Sequence, residues 1–354
     1  MRKKLNVNLK EKSYQISIES GLLNNIGELI RKVHPCEKAV IITDENVDKK
    51  YSAIVETALI KHNYQVDIII LKPGESTKSL GTLPKIYNRL IDFELTRTDI
   101  LIALGGGVIG DICGFVASSF MRGVPYVHVP TTLLAQVDSS VGGKVGVNLE
   151  GGKNLVGSFY QPKGVFIDPD VLYTLPDKFF TDGMAEVIKY GCIKDEKLFE
   201  MLYKMNGRHE IMESISDIIY RCCGIKRDLV ENDERDMGDR MLLNFGHTIG
   251  HAIEKYYDYE MYTHGEAVAI GMYNITKISE DRGLTKAGTA EKLKKILADK
   301  GLPYDIDVDM KDLIEFIKRD KKNLGSKLKV VLLKEIGSGF LHESDSTFFE
   351  KESD

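Results

Sequence analysis

Two periods of apolar and polar positions divide the chain. In the first half, short β-branched runs stand at 38–44 (KAVIITD), 65–71 (QVDIIIL), 99–104 (DILIAL), 125–130 (PYVHVP) and 164–169 (GVFIDP). Between the early runs lie helical patterns, such as GLLNNIGELIRKV at 21–33 and NVDKKYSAIVETALIKH at 46–62. Strands alternating with helices predict a parallel sheet covered on both faces. Pro84 falls inside the helical pattern after Lys78, so that helix is expected to start late, with the proline in its first turn. The opening MRKKLNVNLKEKSYQISI alternates like a strand.

After about residue 178 the period changes. Helical patterns run through LFEMLYKMNG, ISDIIYRCCGIKRDLV, GEAVAIGMYNITKISEDRG and AEKLKKILADKG. Only KLKVVLLKEIG, at 327–337, reads as extended, and the acidic end ESDSTFFEKESD reads as a solvated terminus. The predicted architecture is an α/β N-terminal domain over 1–178, with a parallel Rossmann-like sheet, followed by a mostly α-helical domain over 179–354. A cleft between two such domains is a usual place for an active site.

Composition narrows the function. The chain has 354 residues, comfortable for two domains, and a net charge of −5. That balance argues against general nucleic-acid binding, though not against a local basic pocket. No apolar run is long enough to span a bilayer, and the N-terminus lacks the apolar core of a signal peptide. The five cysteines (36, 113, 192, 222 and 223) form no CxxC pair. Reduced thiols in a cytoplasmic protein are the economical reading.

The segment RMLLNFGHTIGHAIE carries the most chemistry. On a single helix, Arg240, Asn244, His247, His251 and Glu254 form one polar stripe, with Leu242, Phe245, Ile249, Ala252 and Ile253 opposite. A solvated face usually carries Lys and Glu instead. HxxxH suits a zinc site, but Thr248 stands where a zincin protease has Glu. His264 opens the next helix and can supply a ligand by folding back. A carboxylate can come from TDGMAEVIKYG, read as a helix capped by Thr181 or Asp182. There Glu186, Lys189 and Tyr190 share a face, although Glu186 and Lys189 alone would more often be a surface ion pair.

Two glycine-rich segments suggest anion binding. ILIALGGGVIGDICGF reads as strand, tight turn and helix, and Gly105, Gly107 and Gly110 match G-x-G-x-x-G. The match starts far from the N-terminus, and Asp138 lies beyond the usual ~20-residue offset of the acidic partner, so a dinucleotide would bind in a variant layout. VPTTLLAQVDSSVGGKVGVNLEGGKNLVG then reads as a long loop with Lys144 and Lys153 each behind a Gly-Gly pair, and with Arg122 just upstream. Such elements suit an anionic substrate.

Taken together, GGGVIGD, MRGVPYVHVPTTLLAQVDSSVGGKVGVN, GKNLVGSFYQP, AEVIKYG, LLNFGHTIGHAIE and HGEAVAIGM resemble the 3-dehydroquinate synthase family over about 41–337. The resemblance implies conversion of 3-deoxy-D-arabino-heptulosonate 7-phosphate to 3-dehydroquinate and phosphate, in the shikimate pathway. It implies catalytic NAD, a divalent metal (zinc or cobalt) and a homodimer. It implies that the first half binds NAD and the second half the metal and substrate. Its motifs put the metal ligands at Glu186, His247 and His264, making His251 a pocket residue. They put substrate and catalytic contacts at Arg122, Asp138, Lys144, Asn154, Lys189, Lys226, Arg240, Asn244 and His251. They put NAD contacts at Asp44, Glu75, Lys78, Gly106, Gly107, Val108, Asp111, Thr131, Thr132, Lys144, Lys153 and Thr174. RDKKN near Arg319 resembles a further basic element, with Lys321 or Lys322 as its contact. Asp236 departs from the Glu expected there. The competing readings are a metal-dependent polyol dehydrogenase, another sugar-phosphate cyclase and a non-catalytic NAD-binding protein. Six cations (Arg122, Lys144, Lys153, Lys189, Lys226 and Arg240) exceed what a neutral polyol needs, and Arg240 can bind a carboxylate that other cyclase substrates lack.

Overall fold

A computed structural model describes residues 2–308, 310–321 and 328–349, with backbone only at 310, 314, 318–321 and 346. The side chains of Arg319 and Lys321, and the whole of Lys322, therefore lie outside the described residues. The chain divides into two compact units, Met1–Pro176 with Lys226–Arg235, and Asp177–Ile225 with Asp236–Asp354. A sequence division at 178 assigns Lys226–Arg235 to the helical half; by contacts it groups with the first unit.

The first unit holds nine strands: β1 (Lys3–Val7), β2 (Tyr14–Ile18), β3 (Lys38–Asp44), β4 (Gln65–Leu71), β5 (Ile100–Gly105), β6 (Tyr126–Pro130), β7 (Lys144–Leu149), β8 (Gly152–Phe159) and β9 (Gly164–Ile167). Seven form one sheet in the order β1-β2-β9-β6-β5-β3-β4. All five β-branched runs become parallel strands, and β1 pairs antiparallel with β2 at the edge. Its helices are α1 (Ile26–Val33), α2 (Glu45–Val47), α3 (Ala53–Ile60), α4 (Leu83–Asp92) and α5 (Gly107–Ser119). Alternate residues of β3 point to opposite faces. Val40 and Ile42 pack with Ile86, Ile112 and Val116; Ala39 and Ile41 pack with Ile30, Val55 and Leu59. The continuous apolar runs thus reflect burial on both faces. Pro84 lies in the first turn of α4, where its missing N–H costs nothing.

The stretch read as a long loop is instead largely structured. Ala135–Ser139 form a wide helical turn, and β7 and β8 make an antiparallel hairpin. Val145 and Val147 are buried against α5, which accounts for the strand.

The second unit carries α6 (Asp177–Ile193), α7 (Glu196–Lys204), α8 (Gly207–Glu213), the start of α9 (Ile215–Asn232), α10 (His247–Tyr256), α11 (His264–Asp281), α12 (Thr289–Asp299) and α13 (Met310–Lys321). β10 (Leu328–Glu335), expected as extended, pairs with β11 (Ser338–Ser344), which the pattern did not announce. The acidic tail is not simply solvated: Phe348 and Phe349 are buried, and Arg282 lies over the Phe348 ring. Two aromatics outweigh the surrounding charge.

Two helix boundaries differ from expectation. The helix bearing Glu186 begins at Asp177, so Thr181 and Asp182 are interior and do not cap it. Arg240–Glu254 is not one helix: Asp239–Asn244 form a 3-10 segment, and α10 begins only at His247. Gly246 breaks it, with φ at +80°, and a Cβ there would stand 2.7 Å from Val268 O and 2.8 Å from Met272 N. Close approach of α11 imposes the break.

Candidate functional site

In the second unit, three helices bring Glu186, His247 and His264 together. Glu186 lies mid-way along α6, and each histidine is the first residue of its helix. His247 Nε2 stands 3.6 Å, and His264 Nε2 3.7 Å, from Glu186 Oε1. Both ring nitrogens thus face one carboxylate oxygen. His247 Nδ1 contacts Phe245 O at 3.2 Å, which assigns the proton to Nδ1 and leaves the Nε2 lone pair facing the carboxylate. Burial, with the Lys189 ammonium, pushes His247 down to about 3, so its ring is neutral. For His264, burial opposes charge, but the Glu186 and Glu254 carboxylates outweigh it and raise the imidazole to about 10.

The local frame explains these positions. Thr263 and Glu266 form a capping box at the start of α11. Asp182 Oδ1 accepts from Gly265 N at 2.6 Å, so a buried carboxylate one turn before Glu186 anchors the residue after His264. Glu186 also pairs with Lys189; the surface ion pair that this spacing alone would more often give is buried, because α6 is buried on every face from Asp182 onward. His251 lies one turn along α10, exposed, its ring 5.3 Å from that of His247. His251, Glu254 and His264 form a second group of possible ligands, and His264 Nδ1 lies 3.6 Å from Glu254 Oε1. Arg240 is buried in the 3-10 segment that ends at Asn244, so neither lies on the α10 face that presents His251.

The donor set fits a divalent metal. Tetrahedral ligation at ~2.0–2.2 Å sets ligand atoms roughly 3.3–3.6 Å apart, near the spacings found. A neutral imidazole lone pair facing a buried carboxylate is unfavourable unless a cation lies between them. The HxxxH reading did not separate ligand from neighbour; the geometry groups His247, and not His251, with Glu186.

In the first unit, the chain reverses direction across the sheet between β3 and β5, since β4 lies outside β3. In open parallel sheets the crevice at such a point, beyond the strand carboxyl ends, is where ligands bind. Asp44 ends β3 and caps the following turn, accepting from Asn46 N at 2.9 Å and Val47 N at 3.2 Å. Gly106, Gly107 and Val108 form the N-terminus of α5, directly after β5. Thr131 and Thr132 follow β6. The glycine pattern is thus strand, turn and helix, as read. A Cβ on Gly110 would stand 2.7 Å from the His128 ring, so this glycine permits α5 to pack on β6.

The remaining predicted residues fall into small groups. The buried Lys78 pairs with the partly buried Asp111, with Glu75 4.0 Å from the same ammonium. Burial raises the Asp111 carboxyl, against the pull of Lys78. Lys226 Nζ contacts Asp138 Oδ1 at 3.0 Å and donates to Asp138 O at 2.7 Å. Thr174 Oγ1 lies 2.5 Å from the Tyr51 hydroxyl. Lys144 opens β7, and Lys153 and Asn154 lie in β8, with Asn154 in left-handed backbone. Arg122 is exposed, also at positive φ. Sequence reasoning passed over Asn148, which contacts both Glu75 and Asn154. Only its place in VGVNLEGG, just before a glycine turn, could have signalled it.

These features define a two-unit protein with a parallel α/β sheet and a helical unit carrying a histidine–carboxylate metal-binding geometry. The match to the 3-dehydroquinate synthase N-terminal family covers residues 68–182, and that to the 3-dehydroquinate synthase C-terminal family covers 183–323. A 3-dehydroquinate synthase of Clostridium botulinum is 59% identical over 349 residues, 98% of this chain and 100% of the relative. The chain belongs to the 3-dehydroquinate synthase family. Among solved structures, 2-deoxy-scyllo-inosose synthase complexed with carbaglucose-6-phosphate, NAD+ and Co2+ superposes with a TM-score of 0.86 at 27% identity, over 98% of each chain. The 2-epi-5-epi-valiolone synthase of Streptomyces hygroscopicus, with NAD+ and Zn2+ bound, gives a TM-score of 0.87 at 25% identity, over 97% of this chain and 96% of that one. The identity to dehydroquinate synthases is about twice that to either cyclase, which favours the dehydroquinate reading over the other cyclases. Among the described residues no helix is long and apolar enough to cross a membrane.

Proposed function

We infer that this chain is a carbon–oxygen lyase that converts 3-deoxy-D-arabino-heptulosonate 7-phosphate to 3-dehydroquinate and phosphate, the reaction of its family. The observation that carries the reading is the triangle of Glu186, His247 and His264, set by three helices. Glu186, His247 and His264 would hold the metal. Gly106, Gly107, Val108, Thr131 and Thr132, with Asp44, Glu75, Lys78, Asp111, Lys144, Lys153 and Thr174, would hold NAD at the reversal point of the sheet. When bound, the metal supplies Lewis-acid stabilisation of an alkoxide, and NAD takes up and returns one hydride.

The chain's own residues bind, orient and move protons. The substrate carries a phosphate and a carboxylate, and a chain of net charge −5 must concentrate cations locally to hold it. In the first unit Arg122, Lys144 and Lys226 provide them, and the Asp138 carboxylate fixes the Lys226 ammonium. In the second unit Lys189 and Arg240 do so, both buried where their charge is poorly screened. Arg240 offers a planar fork suited to the substrate carboxylate. Asn154 and Asn244 orient hydroxyls. The exposed His251 imidazole, beside His247, moves a proton to or from a substrate hydroxyl. The substrate phosphate takes up the proton of the elimination step, so no further base is needed there. The enzyme works in the cytoplasm as a homodimer.

The reading is tested with purified protein, zinc or cobalt, NAD and the heptulosonate phosphate. Free phosphate should be released in step with turnover, without accumulation of bulk NADH, and chelation should stop it. NADH growing with turnover would mean a net dehydrogenase.

A further inference from the structure

Asn148 stands where β7 and β8 lose register. Val147 pairs with Val156 and Leu149 with Gly152, so the single residue Asn148 lies opposite three residues of β8, 153–155, and the bulge is on β8. The ladder is locally disrupted opposite a bulge. Here the Asn148 side chain reaches two segments. Its Nδ2 donates to Glu75 Oε1 at 2.8 Å, and its Oδ1 accepts from Asn154 N at 2.8 Å. Its backbone N donates to Lys78 O at 2.8 Å, and Asn148 forms a parallel bridge with Ser79. One residue therefore ties the Glu75–Lys78 segment to the hairpin turn that holds Asn154 in left-handed backbone, at φ +57°.

The chemistry of the side chain matters at this place. A primary amide donates at one end and accepts at the other, whereas a carboxylate only accepts. Glu75 needs a donor, and the Asn154 N–H needs an acceptor.

We propose that Asn148 is a positioning residue that couples the nucleotide-side segment Glu75–Lys78 to the substrate-side turn at Asn154. The proposal rests on the functional reading above and deepens it. Ordering of either segment by its ligand orders the other through Asn148, so NAD and substrate tighten each other's binding, a coupling that is reciprocal by necessity.

The test uses the full zinc-loaded chain as wild type, N148A, N148D, E75Q and the double variant N148D/E75Q. NAD binding is measured by calorimetry, KM and kcat for the heptulosonate phosphate by phosphate release, and folding by the thermal midpoint. N148D keeps the acceptor for Asn154 N but sets two carboxylates face to face. It should weaken NAD binding about ten-fold, while the substrate KM changes less than about three-fold. N148A should worsen both. In the E75Q background the donor and acceptor roles are reversed and the bond can re-form, so N148D should cost much less there than in the wild-type background. A residue that merely stabilised the hairpin would give no such rescue. Wild-type NAD affinity in N148D, or N148D and E75Q effects that simply multiply, would overturn the proposal. A wild-type chain that binds no NAD or releases no phosphate would instead overturn the functional reading on which it rests.

Discussion

Lys189 Nζ pairs with the Glu186 carboxylate within one turn of α6, and the two side chains are only 2% and 1% exposed. An exposed pair at this spacing contributes under about 1 kcal/mol. Removing one partner of a buried pair leaves an uncompensated charge and costs about 3–5 kcal/mol. Because the His264 imidazolium, 3.7 Å from Glu186 Oε1, still compensates part of that charge, Lys189→Met in metal-free protein should lower the urea-unfolding free energy by less, about 1–3 kcal/mol. The deficit should shrink when zinc is added, because the metal then compensates Glu186. A loss below about 1 kcal/mol in metal-free protein would contradict the buried-pair account.

Metal removal should destabilise the fold as well as stop turnover. A ligand at a thousand-fold excess over its Kd stabilises by about 4 kcal/mol. Dialysis against a chelator should lower the thermal midpoint, and zinc or cobalt should restore it. Glu186→Gln should abolish the metal-dependent shift. If that variant still responds like wild type, Glu186 is no ligand.

Gly246 is predicted to tolerate no side chain. Its φ is +80°, and an added Cβ meets the α11 backbone at 2.7 and 2.8 Å. Gly246→Ala should cost about 2–4 kcal/mol and displace His247, the next residue, with loss of metal retention. Gly288→Ala is the control: it has φ +85° but nothing within 4 Å, so it should cost about 1 kcal/mol through backbone strain alone. Urea unfolding and metal content after gel filtration separate the two.

His128 gives the stability a defined pH dependence. Burial pushes its imidazole down to about 4, from 6.5. Above pH 6.5 both folded and unfolded chains leave it neutral. Below that, the unfolded chain takes up a proton that the folded chain refuses, so stability falls as pH drops from about 6.5 to 4. The contribution is about 3 kcal/mol. His128→Gln should flatten this part of the stability–pH curve; an unchanged slope would show that His128 is not held neutral.

The sheet was legible because its strands are buried on both faces and write themselves as unbroken runs such as KAVIITD. The glycine turn was legible because strand, turn and helix are contiguous. What failed needed knowledge of distant neighbours. The polar stripe from Arg240 to Glu254 has a helical period, yet α11 breaks the helix at Gly246. Hydrophobic pattern gave no sign of β7, whose valines are set off by glycines and are buried only because α5 covers them. At the candidate metal site, spacing pointed to two histidines on one helix. The geometry instead groups one side chain from each of three helices, a grouping that local periodicity cannot encode.

Lys226–Arg235 bears on the order in which the protein can be built. This short piece of the first unit carries Lys226 for Asp138, Glu231 for Asn8, and Glu234 for Lys12 and Gln161. None of these partners exists until Asp177–Ile225 have been synthesised. At ~5–20 residues per second the ribosome needs about 2–10 seconds to cross that stretch. During this interval the nascent sheet is complete in its strands, but Asp138 still lacks the ammonium that fixes it. Maturation of the first unit therefore waits on translation of part of the second.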